Sequence, residues 1–400
     1  DTSNTKETTD AVEKPLSDWV QGEYLPSKNF ANICSNPRLN NKYQDLAGDY
    51  VDEKKWIRSW SHETYLWYNE LPDIDPASIQ DPIKYFDQMK TSAITSSGSA
   101  KDRFHFAVNT EESELLSETG ISVGYGANAK QDMTTGKLYV TYIEPNSPAQ
   151  KANISRGTEI LAADGIYIDS VITDEELNNF NSALLPETAR ESHSFTIRKP
   201  NSIFTENIIL TSSATTEVPV YLTTTFEANG EKIGYLVLNS FNIETAELQL
   251  INAVNQIKSA QISNLILDLR YNGGGYLGIS AVLGTMIAGN KAYGEIFESM
   301  VYNDKYTQYD PIYGQLIEPF LFPETTLGFS TTKGTPLPKL NLSRVFIIAT
   351  GNTASASEAL INSLRGIDVE VILIGETTTG KPYGFYGTDN CGTTYYTIQF

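Results

Sequence analysis

Asn264-Leu265-Ile266-Leu267-Asp268-Leu269-Arg270-Tyr271-Asn272-Gly273-Gly274-Gly275-Tyr276-Leu277-Gly278 reads as the end of a strand, a turn and the start of a helix. The apolar run 264–269 has the make-up of a strand buried on both faces. The glycines give a sharp turn, and 277–288 is an apolar helix. Outward from this stretch the same alternation repeats. A strand is predicted over 232–238, then a helix over 245–259 with Leu248, Ile251, Val254 and Ile257 on one face. Further on come a strand at 344–350, a helix at 356–364 and a strand at 369–374. Strands alternating with helices imply a mostly parallel sheet in a layered α/β domain, spanning residues 215–400. Residues 302–340, rich in Pro, Gly and Tyr, read as an insertion covering a cleft.

Toward the N-terminus the character changes twice. Residues 112–214 hold short β-branched runs, at 138–143, 159–163, 194–198 and 207–211. Turn clusters such as Pro145-Asn146-Ser147-Pro148 separate them, so this is a small β-rich domain. Residues 25–111 read as helical. Trp56, Ile57, Trp60 and Trp67 recur at helical spacing within 51–70, with Asp52 as N-cap and Pro72 as the stop. The Trp stripe is read as a core-facing one. A second helix is predicted at 81–91 with Ile83, Phe86 and Met89 inward. Residues 1–24, polar and rich in Thr and Glu, read as a disordered leader. Such a spacer suits an exported protein, for example a lipoprotein whose anchor has been removed.

Composition narrows the function. The chain has 29 Lys and Arg against 49 Asp and Glu, a net charge of −20. That charge repels phosphate backbones and argues against nucleic-acid partners. No apolar stretch approaches the length of a membrane span. Cys34 and Cys391 are too few for a zinc cluster, and His62, His105 and His193 form no metal-ligand spacing. Two readings of the cysteines stand, a pair of buried thiols or one long-range bridge. The bridge would imply an oxidising compartment.

Three stretches could carry chemistry. Gly273, Gly275 and Gly278 match the dinucleotide fingerprint, but a charged Asp268-Leu269-Arg270 finish precedes them. The alternative is a turn whose backbone N–H groups face outward as an oxyanion trap. Thr353-Ala354-Ser355-Ala356-Ser357-Glu358 lies between a strand and a helix. Ser355 and Glu358 fit a capping box, and Ser355 also fits a nucleophile at a helix N-terminus, with the Ala356 N–H beside it. Gly375-Glu376-Thr377-Thr378-Thr379-Gly380-Lys381-Pro382 follows the next strand. Strand–helix–strand geometry returns Lys381 to the sheet edge where Ser355 sits. A desolvated, neutral Lys can act as base to a Ser, a known alternative to Ser-His-Asp.

In this order, Asp268-Leu269-Arg270-Tyr271-Asn272-Gly273-Gly274-Gly275, Ala354-Ser355-Ala356-Ser357-Glu358 and Gly380-Lys381 resemble the C-terminal processing (tail-specific) serine peptidases. The resemblance covers roughly residues 50–400. It implies Ser355 as nucleophile, Lys381 as base, and Gly274 and Ala356 N–H groups as the oxyanion hole. It implies an α/β core of the ClpP/crotonase-like type with no cofactor or metal. It also implies a PDZ domain. Gly120-Ile121-Ser122-Val123 resembles the carboxylate-binding loop of one, and 144–149 with 157–165 its central hairpin and helix. The substrates implied are protein or peptide tails, met in the cell envelope. Two departures stand out. Relatives often carry a Gln where this chain has Phe385, and the family core usually runs on past Phe400. The alternative function is a weakly active or inactive peptide-tail binding protein on the same scaffold.

Overall fold

The computed structural model describes residues 19–132, 134–170 and 173–400. The predicted leader lies outside the described residues up to residue 18. From Trp19 the chain is anchored. Trp19 Nε1 donates to Asp73 Oδ1 at 3.4 Å, and the Gly22 N–H to Asp73 Oδ2 at 2.6 Å. The leader therefore stops short of the predicted residue 24. The chain forms two compact units. One comprises 1–110, 301–317 and 383–400, the other 111–300 and 318–382. The sheet predicted within 215–400 lies in the second unit, while the last eighteen residues of that span belong to the first.

The first unit has mixed α and β structure. Asp49, not Asp52, caps the helix Tyr50–Thr64. Its carboxylate accepts the Val51 and Asp52 N–H groups, and Asp52 at N3 answers by accepting the Asp49 N–H at 3.2 Å. The helix ends at Thr64, well before Pro72. Trp67 thus lies beyond it, edge-on to Tyr65 and Tyr383. Trp56 and Trp60 stack at 5.0 Å in a core with Ile57, Phe86, Met89 and Tyr395, as the core-facing reading anticipates. The second helix is short, Pro82–Phe86, and leaves Ile83 exposed. Thr393–Tyr396 is the middle strand of a three-stranded antiparallel sheet, with Thr388–Asn390 and Phe106–Asn109 on either side. That pairing, and a disulfide joining Cys34 to Cys391, explain why the chain end belongs here. The bridge reading of the cysteines holds.

The second unit contains a β-rich part and an α/β part. In the former, strands run in the order Glu206–Thr211, Ser192–Arg198, Glu159–Ala163, Leu138–Ile143, Ala127–Gln131. The helix Asp174–Leu184 packs Phe180 and Ala183 into a core with Val140, Ile160, Phe195 and Ile197. Ile121–Gly124 pairs antiparallel with Ser213–Thr216.

The α/β part is a five-stranded sheet in the order Val220–Ala228, Glu231–Leu238, Asn264–Asp268, Arg344–Ala349, Glu370–Gly375. The first pair is antiparallel and the others are parallel. Leu236, Leu267, Val345 and Ile347 are fully buried with helical residues from Ala246–Ser259, Leu277–Ala288 and Ala356–Gly366. The Ala246–Ser259 helix turns Leu250, Ala253, Val254 and Ile257 inward, whereas the predicted Leu248 is exposed. The buried Glu247 carboxylate on this helix accepts the N–H groups of Leu327, Gly328 and Ser330 and the Thr331 hydroxyl. It thereby pins part of the 318–340 segment to the α/β part. In a parallel sheet, functional groups gather where strands end. Here Asn239, Leu269, Thr350 and Glu376 each follow such an end.

Candidate active site

Three of those strand ends supply the pieces. Past Asn264–Asp268, the chain makes its glycine turn. Asn272, fully buried, staples this turn in three directions. Its Nδ2 donates to the Leu238 carbonyl at 3.2 Å, and its Oδ1 accepts the Gly274 N–H at 2.9 Å. Its carbonyl accepts the Ala354 N–H and the Ser357 hydroxyl, both at 3.2 Å. Gly274 has φ +106°, and a Cβ there would stand 2.7 Å from Ser355 Cβ and 3.1 Å from the Ala356 nitrogen. The turn and the start of the Ser355 helix are thus in direct contact, as the oxyanion-trap reading requires. The Gly274 N–H itself, predicted to face outward, points to Asn272 instead.

The nucleotide reading fails on packing. A Cβ at Gly275 would fall 2.2 Å from the Asn242 nitrogen, and one at Gly278 would meet Leu327 and Phe329 at 2.9–3.1 Å. These glycines are small because protein lies against them, and the space a pyrophosphate needs is filled.

Before the turn, Asp268 is nearly buried and grips Arg270 through both oxygens, while the Tyr235 hydroxyl donates to its Oδ2 at 2.7 Å. Burial pushes the Asp268 carboxyl up, but Arg270 and Tyr235 outweigh it and hold it below the usual range. Thr350 and Thr353 hydroxyls donate to the carbonyls of Arg270 and Leu269 at 2.6 and 2.8 Å, locking two strand ends together.

Ser355 sits at the N-cap of Ala356–Gly366 with φ 54° and ψ −118°. Most other non-glycine residues at positive φ here are Asn or Asp, which tolerate it. A Ser held this way costs on the order of 1–3 kcal/mol and is a mark of a site where geometry serves function. It resembles the strained turns that lift nucleophiles clear of a sheet.

Glu358 does more than its predicted capping. Its Oε2 accepts the N–H groups of Ser355 and Lys381, both at 2.9 Å. Its Oε1 accepts the Gly380 N–H and the Thr378 hydroxyl, both at 2.7 Å. The backbone nitrogens of Ser355 and Lys381 therefore lie within twice 2.9 Å of each other. The Thr379 N–H adds a bond to the Thr353 carbonyl at 3.0 Å. Strand–helix–strand geometry has brought the two loops together. The signal for Glu358 was present in the sequence as its spacing from Ser355, but spacing says nothing of the loop it also holds.

The remaining predicted residues lie elsewhere. Gly120, at φ +73°, exchanges backbone hydrogen bonds with Leu116 and Glu217, and Ile121, Ser122 and Val123 follow in the strand paired to Ser213–Thr216. Phe385 belongs to the first unit, where its ring meets Phe106 and Tyr396.

Comparison with known proteins agrees with this layout. Residues 232–384 match the model of peptidase family S41, and residues 52–104 match the peptidase S41 N-terminal domain. The chain belongs to peptidase family S41. It is 27% identical over 266 residues to a carboxyl-terminal-processing protease of Picosynechococcus, covering 66% of this chain and 56% of that protein. It is 24% identical over 287 residues to the carboxy-terminal processing protease CtpB of Bacillus subtilis, covering 70% and 51%. The chain thus spans about half the length of the curated relatives it matches. A crystal structure described as an S41 protease from Bacteroides fragilis shares the fold, with a TM-score of 0.60 at 23% identity, over 90% of this chain and 86% of that one.

Proposed function

We propose that the protein is a serine endopeptidase that cleaves polypeptides near their C-terminus. The observation that carries this reading is the Glu358 carboxylate shared between the Ser355 and Lys381 backbones. It fixes, beside each other, a strained Ser and the one Lys of the loop. In this reading Ser355 attacks the scissile carbonyl and Lys381 takes its proton. The Ala356 N–H, at the positive end of its helix, stabilises the oxyanion. Gly274 supplies the second N–H, shared with Asn272 Oδ1. The acyl-enzyme is then hydrolysed by water.

The β-rich part is read as a PDZ-like module over 112–214. The support is its small antiparallel sheet capped by the Asp174–Leu184 helix, and a Gly120–Val123 segment that ends in a short two-stranded ladder. A substrate tail adding to that segment would use backbone bonds for affinity. The layered core is read as ClpP/crotonase-like on the order of its sheet. An exported, oxidising location is read from the Cys34–Cys391 bridge.

The experiment is labelling with a fluorophosphonate serine probe. Wild type should be labelled at Ser355, with a rate that rises toward alkaline pH as Lys381 loses its proton. Labelling that is flat from about pH 6 to 9 would remove Lys381 as base. Tail-peptide binding with no labelling at any pH would instead favour the inactive binding-protein reading.

A further inference from the structure

A cavity of about 390 Å³ opens in the second unit away from the Ser355 helix. Its walls come from both parts of that unit. Tyr142 and Arg156 belong to the β-rich part, and Tyr235, Asn239, Arg270 and Tyr271 to the sheet and its loops. The size suits a short peptide segment. Two features set it apart. The first is Asn239. It is 7% exposed, and neither its Oδ1 nor its Nδ2 has a partner. A buried amide left so is unusual, because each group has lost its water without replacement. The second is charge. In a chain of net charge −20, the lining holds two arginines and no carboxylate. Arg270 is committed to Asp268. Arg156 is exposed, stands 5.3 Å over the Tyr271 ring, and forms no ion pair among the described residues.

An amide that can donate once and accept once matches the C=O and N–H of a peptide bond. A free guanidinium matches a carboxylate, and tyrosine rings match a side chain between the two. We propose that this cavity is a second peptide site that takes a carboxylate-bearing segment of a polypeptide. Asn239 pairs with a peptide group, and Arg156 holds the carboxylate. The inference rests on the peptidase reading, because a peptide is its natural ligand. The cavity is also joined to the catalytic turn. Asn239 follows Leu238, whose carbonyl accepts Asn272 Nδ2, and Tyr271 precedes Asn272 in the chain.

The test is calorimetric titration of the full chain carrying Ser355→Ala with three acetylated hexapeptides. One has an internal Asp and an amidated end. The second is neutral with a free terminal carboxylate. The third is neutral and amidated. One of the first two is expected to bind about tenfold more tightly than the third, with the preference lost in Arg156→Ala. Preference for the first identifies a side-chain carboxylate, and preference for the second a chain end. Asn239→Leu should weaken all three. Equal binding of the three, no binding, or a preference that survives Arg156→Ala overturns the proposal. Cleavage of an unfolded protein by wild type, measured separately, keeps the two readings apart. Cleavage without Arg156-dependent binding sinks only the cavity, and Arg156-dependent binding without cleavage sinks only the peptidase.

Discussion

Three helices in this molecule begin with the same motif, and one of them is unlike the other two. Asp49 with Asp52 and Thr173 with Glu176 form capping boxes on extended backbone, at φ −136° and −115°. Their N3 carboxylates reach back to the cap residue, as a helix start needs. Ser355 with Glu358 has the same spacing, but Ser355 is held at φ 54°. Glu358 then accepts three further donors, all from the Lys381 loop. At the first two sites the motif ends a helix. At the third it also fastens a second loop to a strained residue. The spacing is shared and the load is not, and it is the load that separates a cap from a site.

The largest effect that could break this contrast is at Glu358. Glu358→Gln keeps the size but exchanges one acceptor oxygen for a donor, opposite N–H groups that need acceptance. Cleavage should fall by about a hundredfold while the protein stays folded, because the Lys381 loop shifts relative to Ser355. Undiminished kcat/KM with unchanged melting would reduce Glu358 to a cap. Gly274→Ala comes next. Its Cβ would press on Ser355 Cβ at 2.7 Å in a backbone region glycine favours, so activity should drop by at least tenfold, alongside a loss of stability.

Glu144 sharpens the contrast from the other side. Where Glu358 accepts four donors, Glu144 is nearly buried with one, the Val218 N–H at 3.0 Å. Burial pushes it up to about 7, against that hydrogen bond and with help from Glu217. Between its unfolded value and about 7 the folded state binds the extra proton. Stability should therefore fall as pH rises through that window. Glu144→Gln should flatten the fall, read as a smaller change in melting temperature from pH 5 to 8. An identical pH dependence in the variant would mean that Glu144 ionises freely. The smallest effect belongs to an ordinary cap. Thr173→Ala should cost about 1 kcal/mol in denaturant unfolding and leave chemistry at Ser355 intact.

Much of this architecture is legible in the residues, for identifiable reasons. Strands such as Glu159–Ala163 and Asn264–Asp268 are buried and β-branched or aliphatic throughout, and they fall within a residue or two of their predicted bounds. The helix Leu277–Ala288 agrees at both ends. The strand Val220–Ala228 was missed. It lies at the sheet edge, and its Thr223-Thr224-Thr225 run gives no apolar alternation to read. The helix Thr110–Thr119 was missed too, since only Thr110 in it is buried and no apolar stripe marks it. Asp52 was preferred to Asp49 because both fit the motif and only the backbone decides between them. At the candidate site, residue types pointed to Ser355 and Lys381. Neither the inward-facing Gly274 N–H nor the fourfold load on Glu358 could be read, since both depend on loops distant in sequence.

The measurement closest to the central claim is cleavage of an unfolded protein with an apolar C-terminus by wild type, Ser355→Ala and Lys381→Ala, each checked for folding by circular dichroism. The account predicts cleavage by wild type and a loss of at least a thousandfold in both variants. Cleavage that persists in either folded variant would contradict the Ser355–Lys381 pairing.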